Sequence, residues 1–238
     1  MSEKSTFKWI IGVIIALIAA GGGAVTWIKF FTEPPKEQQS WKSFQTAYLE
    51  SFDIQYTDER MKSLWPSFEE GPWSATTKDG TYCYANSGEE TGARYNYVEI
   101  TGEDISDTPA SVEVKTTPLD ESTPISGSGL LYRFDTNNRF YYAFTLTNRG
   151  VMNFYKRNMD GFNLLYTGRA DGFLPDKFNR VAIIGRGSTL HLYVNDSLIK
   201  KIEDQELQKG ITGVIGIGIG THCFDNVTIY KNIDKIPG

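Results

Sequence analysis

Beyond residue 65, hydrophobic and polar positions alternate with a period of two in short runs. In FYYAFTL, Phe140, Tyr142, Phe144 and Leu146 share one side, and Tyr141, Ala143 and Thr145 share the other. In TLHLYVN, Leu190, Leu192 and Val194 alternate with His191 and Tyr193. Successive side chains of a strand point to opposite faces, so each run has a greasy side and a mixed aromatic–polar side. Similar runs are TYCYANS (81–87), RYNYVEI (94–100), ASVEVKTT (110–117), GLLYRF (129–134) and VMNFYKR (151–157). NLLYTG (163–168), NRVAIIGRG (179–187), GVIGIGIG (213–220) and CFDNVTIY (223–230) complete the series. Turn-forming residues separate them: Asp79-Gly80, Asp135 to Asn138, Asn148-Arg149-Gly150, Arg186-Gly187-Ser188 and Asn195-Asp196-Ser197. No stretch between residues 72 and 231 has helical period. The spacing predicts an all-β fold of roughly ten to thirteen antiparallel strands packed as two sheets of a jelly-roll sandwich.

The first thirty residues follow another pattern. Between Lys8 and Lys29 lie twenty residues without a charge, running from Trp9 through Gly21, Gly22 and Gly23 to Trp27 and Ile28. A helix of that length spans about 30 Å, the thickness of a bilayer's hydrocarbon core. A Trp near each end suits the headgroup level, and the glycines let another helix approach closely. The run predicts one transmembrane helix. The competing reading is a cleaved signal peptide, for which Ala19, Ala20 and the glycines offer small residues. Lysines flank both ends, so the charge rule for orientation is nearly balanced, and two cysteines in an all-β domain favour the extracytoplasmic side.

EPPKE at 33–37 reads as a stiff hinge, because no helix continues easily through Pro34 and Pro35. Then Trp41, Phe44, Tyr48 and Phe52 fall at helical spacing and predict a short juxtamembrane helix. Its aromatic face would pack on the β domain or lie on the membrane. The expected organisation is a tip and transmembrane helix over 1–30, a hinge and amphipathic helix over 31–60, and a sandwich over 61–238.

Composition narrows the function classes. A formal net charge of −5 with scattered Lys and Arg argues against nucleic acid as a partner. Two cysteines, Cys83 and Cys223, and two histidines, His191 and His222, are too few for a four-cysteine zinc or iron–sulfur site. His222 and Cys223 are adjacent and, on a strand, point to opposite faces, which disfavours a shared metal.

The run from Gly129 to Asn232 resembles the concanavalin A-like lectin/glucanase superfamily, and within it the laminin-G-like bacterial branch. The resemblance is carried, in order, by GLLYRF, Phe140-Tyr141-Tyr142, NRVAIIGRG, LHLYVND at 190–196, GVIGIG at 213–218 and FDNVTIY at 224–230. With the strand at 80–86 it covers roughly two-thirds of the chain. It implies a jelly-roll sandwich but no single function, because this fold hosts lectins, glycosidases and adhesion domains. It further implies that the first and last strands lie side by side, which makes Cys83 and Cys223 a candidate disulfide; two buried free thiols are the alternative.

Glycosidases of the superfamily hydrolyse with two carboxylates, commonly in an E-x-D-x-x-E strand motif, and that motif is missing here. Glu69-Glu70, Glu89-Glu90 and Glu103-Asp104 are adjacent pairs beside glycines and read as solvated turns. GIGIG at 216–220 leads into Thr221 and His222 of a strand rather than into a helix, so it reads as a flat, closely approached strand and not as a phosphate loop. A nucleophile elbow is likewise absent. No catalytic residue is assigned, and the expectation is a domain without enzymatic activity; a glycosidase that has lost or rearranged its motif is the remaining alternative.

Binding is what remains. By strand parity, Arg133, Tyr141, Tyr155 and Arg157 face one open side, where sugar rings would stack on aromatics and sugar hydroxyls would meet polar groups. These tyrosines equally suit the covering of a sheet edge. Asp225 and Asn226 are candidate calcium ligands at a sandwich rim, and a hydrogen bond to a neighbouring loop is the plainer role; no other cofactor is indicated. The expectation is a membrane-anchored recognition domain for envelope or surface carbohydrate, with the bilayer as its other partner. The alternative is an accessory subunit of a membrane complex that caps a partner protein.

Overall fold

The computed structural model describes residues 44–52, 59–88, 92–99, 107–120 and 126–231. Among the described residues, the first elements are strand β1 (Thr46–Glu50), helix α1 (Glu59–Leu64), β2 (Phe68–Glu70), β3 (Trp73–Lys78) and β4 (Thr81–Asn86). They continue with β5 (Ala93–Val98), β6 (Ala110–Thr117), β7 (Gly127–Asp135), β8 (Phe140–Thr147), β9 (Val151–Asn158) and β10 (Gly161–Arg169). The last are β11 (Asn179–Arg186), β12 (Thr189–Val194), β13 (Ser197–Glu203), β14 (Ile211–Ile217) and β15 (Gly220–Tyr230).

The strands form two antiparallel sheets. The larger runs β13-β12-β11-β6-β15-β4-β3-β2, with β1 also on β15, and the smaller runs β10-β9-β8-β7-β14-β5. The period-two runs explain the sandwich. Tyr142, Phe144 and Leu146 of β8 and Leu190, Leu192 and Val194 of β12 meet in one core between the sheets. Burying each such side chain stabilises by roughly 1.5–3 kcal/mol. The turns act as their sequence predicts: Asp79 and Gly80 both take positive φ between β3 and β4, as do Asn195 and Asp196 between β12 and β13. Gly213 is required by close approach, since a Cβ there would run into the Asn96 carbonyl of neighbouring β5.

The transmembrane helix expected over 1–30, with Trp9, Gly21, Gly22, Gly23 and Trp27, lies outside the described residues. Among those described, no helix is long and apolar enough to cross a membrane. The juxtamembrane helix needs correction. Residues Thr46–Glu50 are strand β1, pairing Thr46 with Tyr230 and Glu50 with Val227; Trp41 lies outside the described residues. The four-residue steps from Phe44 to Tyr48 to Phe52 fit a helical face and a strand face alike. The open edge of β15 decides between them, because it offers ladder hydrogen bonds that an isolated short helix lacks. A register shift between Thr46 and Tyr48 sends the two rings to opposite sides. Phe44 packs with Tyr230 in an outer cluster, whereas Tyr48 packs against the core and accepts a hydrogen bond from Trp65 Nε1 at 3.0 Å.

Strand β15 holds the large sheet together. One edge pairs with β6, while the other pairs first with β4 and then with β1. Cys83 and Cys223 stand opposite each other in the β4–β15 register and are joined in a disulfide, with an S–S distance of 2.11 Å. The next residue inward, His222, is fully buried. Its Nδ1 lies 3.2 Å from Ser128 Oγ, its Nε2 lies 3.1 Å from the Gly218 carbonyl, and its ring stacks on Trp73. A Cβ on Gly216 would meet that ring, so this glycine makes room for it.

Two consequences are measurable. The disulfide closes a separation of 140 residues, so replacing both Cys83 and Cys223 by Ser is expected to cost about 5 kcal/mol on chain-entropy grounds. Urea unfolding of the two proteins checks this, and a loss below about 1 kcal/mol would reject a stabilising bridge. Burial pushes His222 down from 6.5 to about 4, against the smaller upward pull of its backbone hydrogen bonds. The unfolded chain therefore takes up the proton first. Stability is full above pH 6.5 and falls by about 3 kcal/mol in all as the pH drops through 4. His222→Gln should flatten that part of the stability profile, and an unchanged slope would show that other groups set it.

Candidate functional site

The smaller sheet turns one face to the core and carries a second apolar cluster on the other. Leu131, Phe134, Tyr141, Ala143, Tyr155 and Ile215 form it, with Tyr95, Tyr97, Ile211 and Ile217 packed against them. The rings make a continuous band. Phe134 lies 5.1 Å from Tyr95, 5.2 Å from Tyr97 and 6.1 Å from Tyr141. Tyr141 lies 6.4 Å from Phe162, which stacks on Tyr155 at 4.5 Å. The band thus runs from edge strand β5 to edge strand β10, five strand spacings or about 24 Å.

Of the residues expected here, Tyr141, Tyr155 and Arg157 come together: Tyr141 pairs with Arg157 across β8 and β9. Burial raises the Tyr141 hydroxyl above its ordinary range, and the neighbouring Arg157 guanidinium opposes that rise. Tyr141 is only 1% exposed, whereas Phe162 is 42% exposed. The buried tyrosine is therefore a support, and the rings with area to offer are Phe162 and the partly exposed Tyr95 and Tyr97. Sequence reasoning missed these three. The alternation in RYNYVEI was the signal for Tyr95 and Tyr97.

Arg133 requires correction. Parity places it beside Tyr141, but the β7–β8 register shifts between Tyr132 and Asp135, and Arg133 has a φ of +50°. This bulge turns its side chain away from the band, and it is 0% exposed. Its Nη1 donates to the Leu207 carbonyl, and its Nη2 to Asp107 Oδ1 and the Gly187 carbonyl, each at 2.8 Å. Asp107 Oδ1 also accepts the Gly187 amide at 2.9 Å. Arg133 thus ties strand β7 to three loops. The same bulge returns Phe134 to the outer face and into the band.

One of those loops lines the end of the band. A groove of about 690 Å³ is bounded by Phe134 and Ile211, by Asp135, Thr136 and Asn137, by Glu206 to Gly210, and by Glu99. Tyr142 donates to Asp204 Oδ1 at 2.6 Å, and Lys156 donates to Asp204 Oδ2 at 2.6 Å and pairs with Glu206 at 2.8 Å. Burial works to raise Asp204, but the bonds from Lys156 and Tyr142 outweigh it and hold the carboxyl low. Glu206 is held low by Lys156 and Asn158. Asp135, the sole carboxylate among the strand residues of this sheet, sits at the end of β7 and is lowered by the amide groups of Asn138 and Asn137.

The calcium candidates lie elsewhere. Asp225 and Asn226 form the bulge at which β15 passes from β4 to β1, with Asn226 at φ +48°. Asn226 donates its amide hydrogen to Asp225 Oδ1 at 2.7 Å and its side-chain Nδ2 to Glu113 at 3.2 Å. Among the described residues, no three His, Cys, Asp or Glu side chains gather as a metal group would require.

No protein-family model matches the chain, and no curated protein matches it. Solved structures do. A Bacillus subtilis protein described as of unknown function with a galectin-like fold aligns with a TM-score of 0.56 at 13% identity, over 79% of this chain and 96% of that one. The Bacillus licheniformis beta-glucanase aligns with a TM-score of 0.54 at 11% identity, over 78% and 97%. The laminarinase catalytic domain of Thermotoga maritima aligns with a TM-score of 0.53 at 11% identity, over 80% and 99%. At these identities the likeness is one of fold alone, a sandwich of two antiparallel sheets. It corrects the expectation of a domain without enzymatic activity, because catalytic domains of endo-glucanases share this sandwich.

Breaking the Arg133 tie tests its structural role. Arg133→Met leaves Asp107 without its cation and is expected to cost about 3–5 kcal/mol. Urea midpoints measure it, and a loss below about 1 kcal/mol would mean that the three loops are held by other contacts.

Proposed function

We propose that the domain binds a saccharide chain along the outer face of its six-stranded sheet. The observation that carries this reading is the unbroken aromatic band from Tyr97 through Phe134 and Tyr141 to Phe162. Aromatic faces take the apolar face of a sugar ring, and a band about 24 Å long accommodates several rings in a row. The polar groups that would meet sugar hydroxyls stand alongside: Arg157 on the sheet, and Thr136, Asn137 and Gln208 at the groove. The glucan-degrading neighbours share only the fold, and they set the first ligands to try: β-1,3- and mixed β-1,3-1,4-glucans. The uncharged run from Trp9 to Ile28 supports a further part of the proposal, that the domain is tethered to a bilayer and works on carbohydrate at that surface.

Affinity electrophoresis in laminarin or lichenan tests the band. Phe162→Ala and Tyr97→Ala are each expected to weaken retardation about 5- to 30-fold, the equivalent of roughly 1–2 kcal/mol per ring. Leu119→Ser, at an exposed position in neither sheet, serves as the control. Equal mobility of all four proteins would reject the band as the site. Release of reducing ends from the same glucans is measured in parallel. Glu99→Gln and Glu206→Gln then test the groove carboxylates as an acid–base pair.

A further inference from the structure

We infer that the saccharide carries anionic groups, carboxylate or sulfate, and that Arg157 reads them; this rests on the saccharide reading above. Lys156 and Arg157 are neighbours on β9 and point to opposite faces. On the core side, Lys156 is matched by two carboxylates, Asp204 at 2.6 Å and Glu206 at 2.8 Å. On the band side, Arg157 is exposed, and among the described residues no carboxylate stands within ion-pair distance of it. Asp160, at the tip of the following turn, makes no pair with it either.

Arg157 stands within the aromatic cluster. It is paired across the ladder with Tyr141 on one side and with Phe162 on the other, and Phe162 stacks on Tyr155. A sugar ring lying on Phe162 would bring its substituents to the guanidinium. A planar fork with five N–H donors binds a carboxylate or sulfate through two parallel bonds, which a neutral hydroxyl cannot match. The strands of this sheet place no Asp or Glu along the band before Asp135, at the end of β7; of the carboxylates in the groove there, Asp135 is engaged by Asn138 and by the backbone amide of Asn137, Glu206 is paired with Lys156, and Glu99 is exposed. The arrangement fits a chain of uronic acid or sulfated sugar.

The test compares the full chain, held in mild detergent, on polygalacturonate, on carrageenan and on neutral laminarin, at 50 and 500 mM NaCl. The expected result is at least fivefold tighter binding to one or both anionic chains at low salt. Arg157→Gln should bring the ratio of anionic to neutral affinity close to one, and high salt should do the same. Arg157→Lys keeps the charge but loses the fork and should retain only part of the preference. Retention of polygalacturonate alone identifies carboxylate as the group read, and equal retention of carrageenan identifies any oxyanion. Laminarin bound as tightly as either anionic chain, or a preference that survives Arg157→Gln, would overturn the inference and leave the saccharide reading standing. No retention on any of the three would overturn both. Thermal midpoints of the variants within a few degrees of the parent exclude unfolding as the cause.

Discussion

A guanidinium with no access to water is the constraint on which much of this molecule depends. A buried charge is tolerated only where partners replace its hydration, and Arg133 finds them in Asp107, Leu207 and Gly187. Those partners come from the approach to β6, the loop after β13 and the turn between β11 and β12, so one side chain fixes three loops at one end of the sandwich. The backbone reaches this arrangement only by inserting an extra residue into β7, with φ at +50°. That insertion has a second effect, because every later residue of β7 changes face. Phe134 therefore lands among Tyr95, Tyr97 and Tyr141 instead of in the core. The stability of the loops and the continuity of the aromatic band are two results of one bulge.

A second irregularity works in the same manner on the larger sheet. Strand β15 spans eleven residues and needs two partners along one edge. The bulge at Asp225 and Asn226 separates the half paired with β4, locked by the Cys83–Cys223 disulfide, from the half paired with β1. The Asp–Asn pair, a calcium candidate by residue type, also suits the unusual backbone of a bulge. Asn226 donates its backbone amide to Asp225 Oδ1 and its side-chain Nδ2 to Glu113.

These two bulges mark where the sequence stops being legible. The alternation in FYYAFTL and TLHLYVN, and the turn residues Asp79-Gly80 and Asn195-Asp196, report local preferences that the fold keeps, so sheets, faces and hairpins follow from them. A bulge is set by a distant partner, here Asp107 for Arg133, and leaves no local mark on parity. Arg133 leaves the face that parity gives it for that reason, while Tyr155 and Arg157, on the regular strand β9, lie on the same outer face as Tyr141. Strand β1 failed differently: Phe44, Tyr48 and Phe52 fit two periods, and only the free edge of β15 chooses between them. Phe162 was hidden because its value depends on Tyr155, its neighbour across a hairpin, and not on its own run of sequence.

The pleat of β9 separates structural from available charge. Lys156 faces inward, where an unpaired cation would be costly, and it meets two carboxylates and the neighbourhood of a buried tyrosine hydroxyl. Arg157, one residue on, is exposed on the band side beside the Tyr141 hydroxyl, with no carboxylate in ion-pair distance among the described residues. Rings such as Tyr141 and Tyr155 are packed beneath Phe162 and beside Arg157, so their conformational freedom is spent when the chain folds. A ligand settling on Phe162 therefore meets a surface with little left to order. Its binding energy goes into ring contact and into whatever charge it brings to Arg157, and not into organising the site.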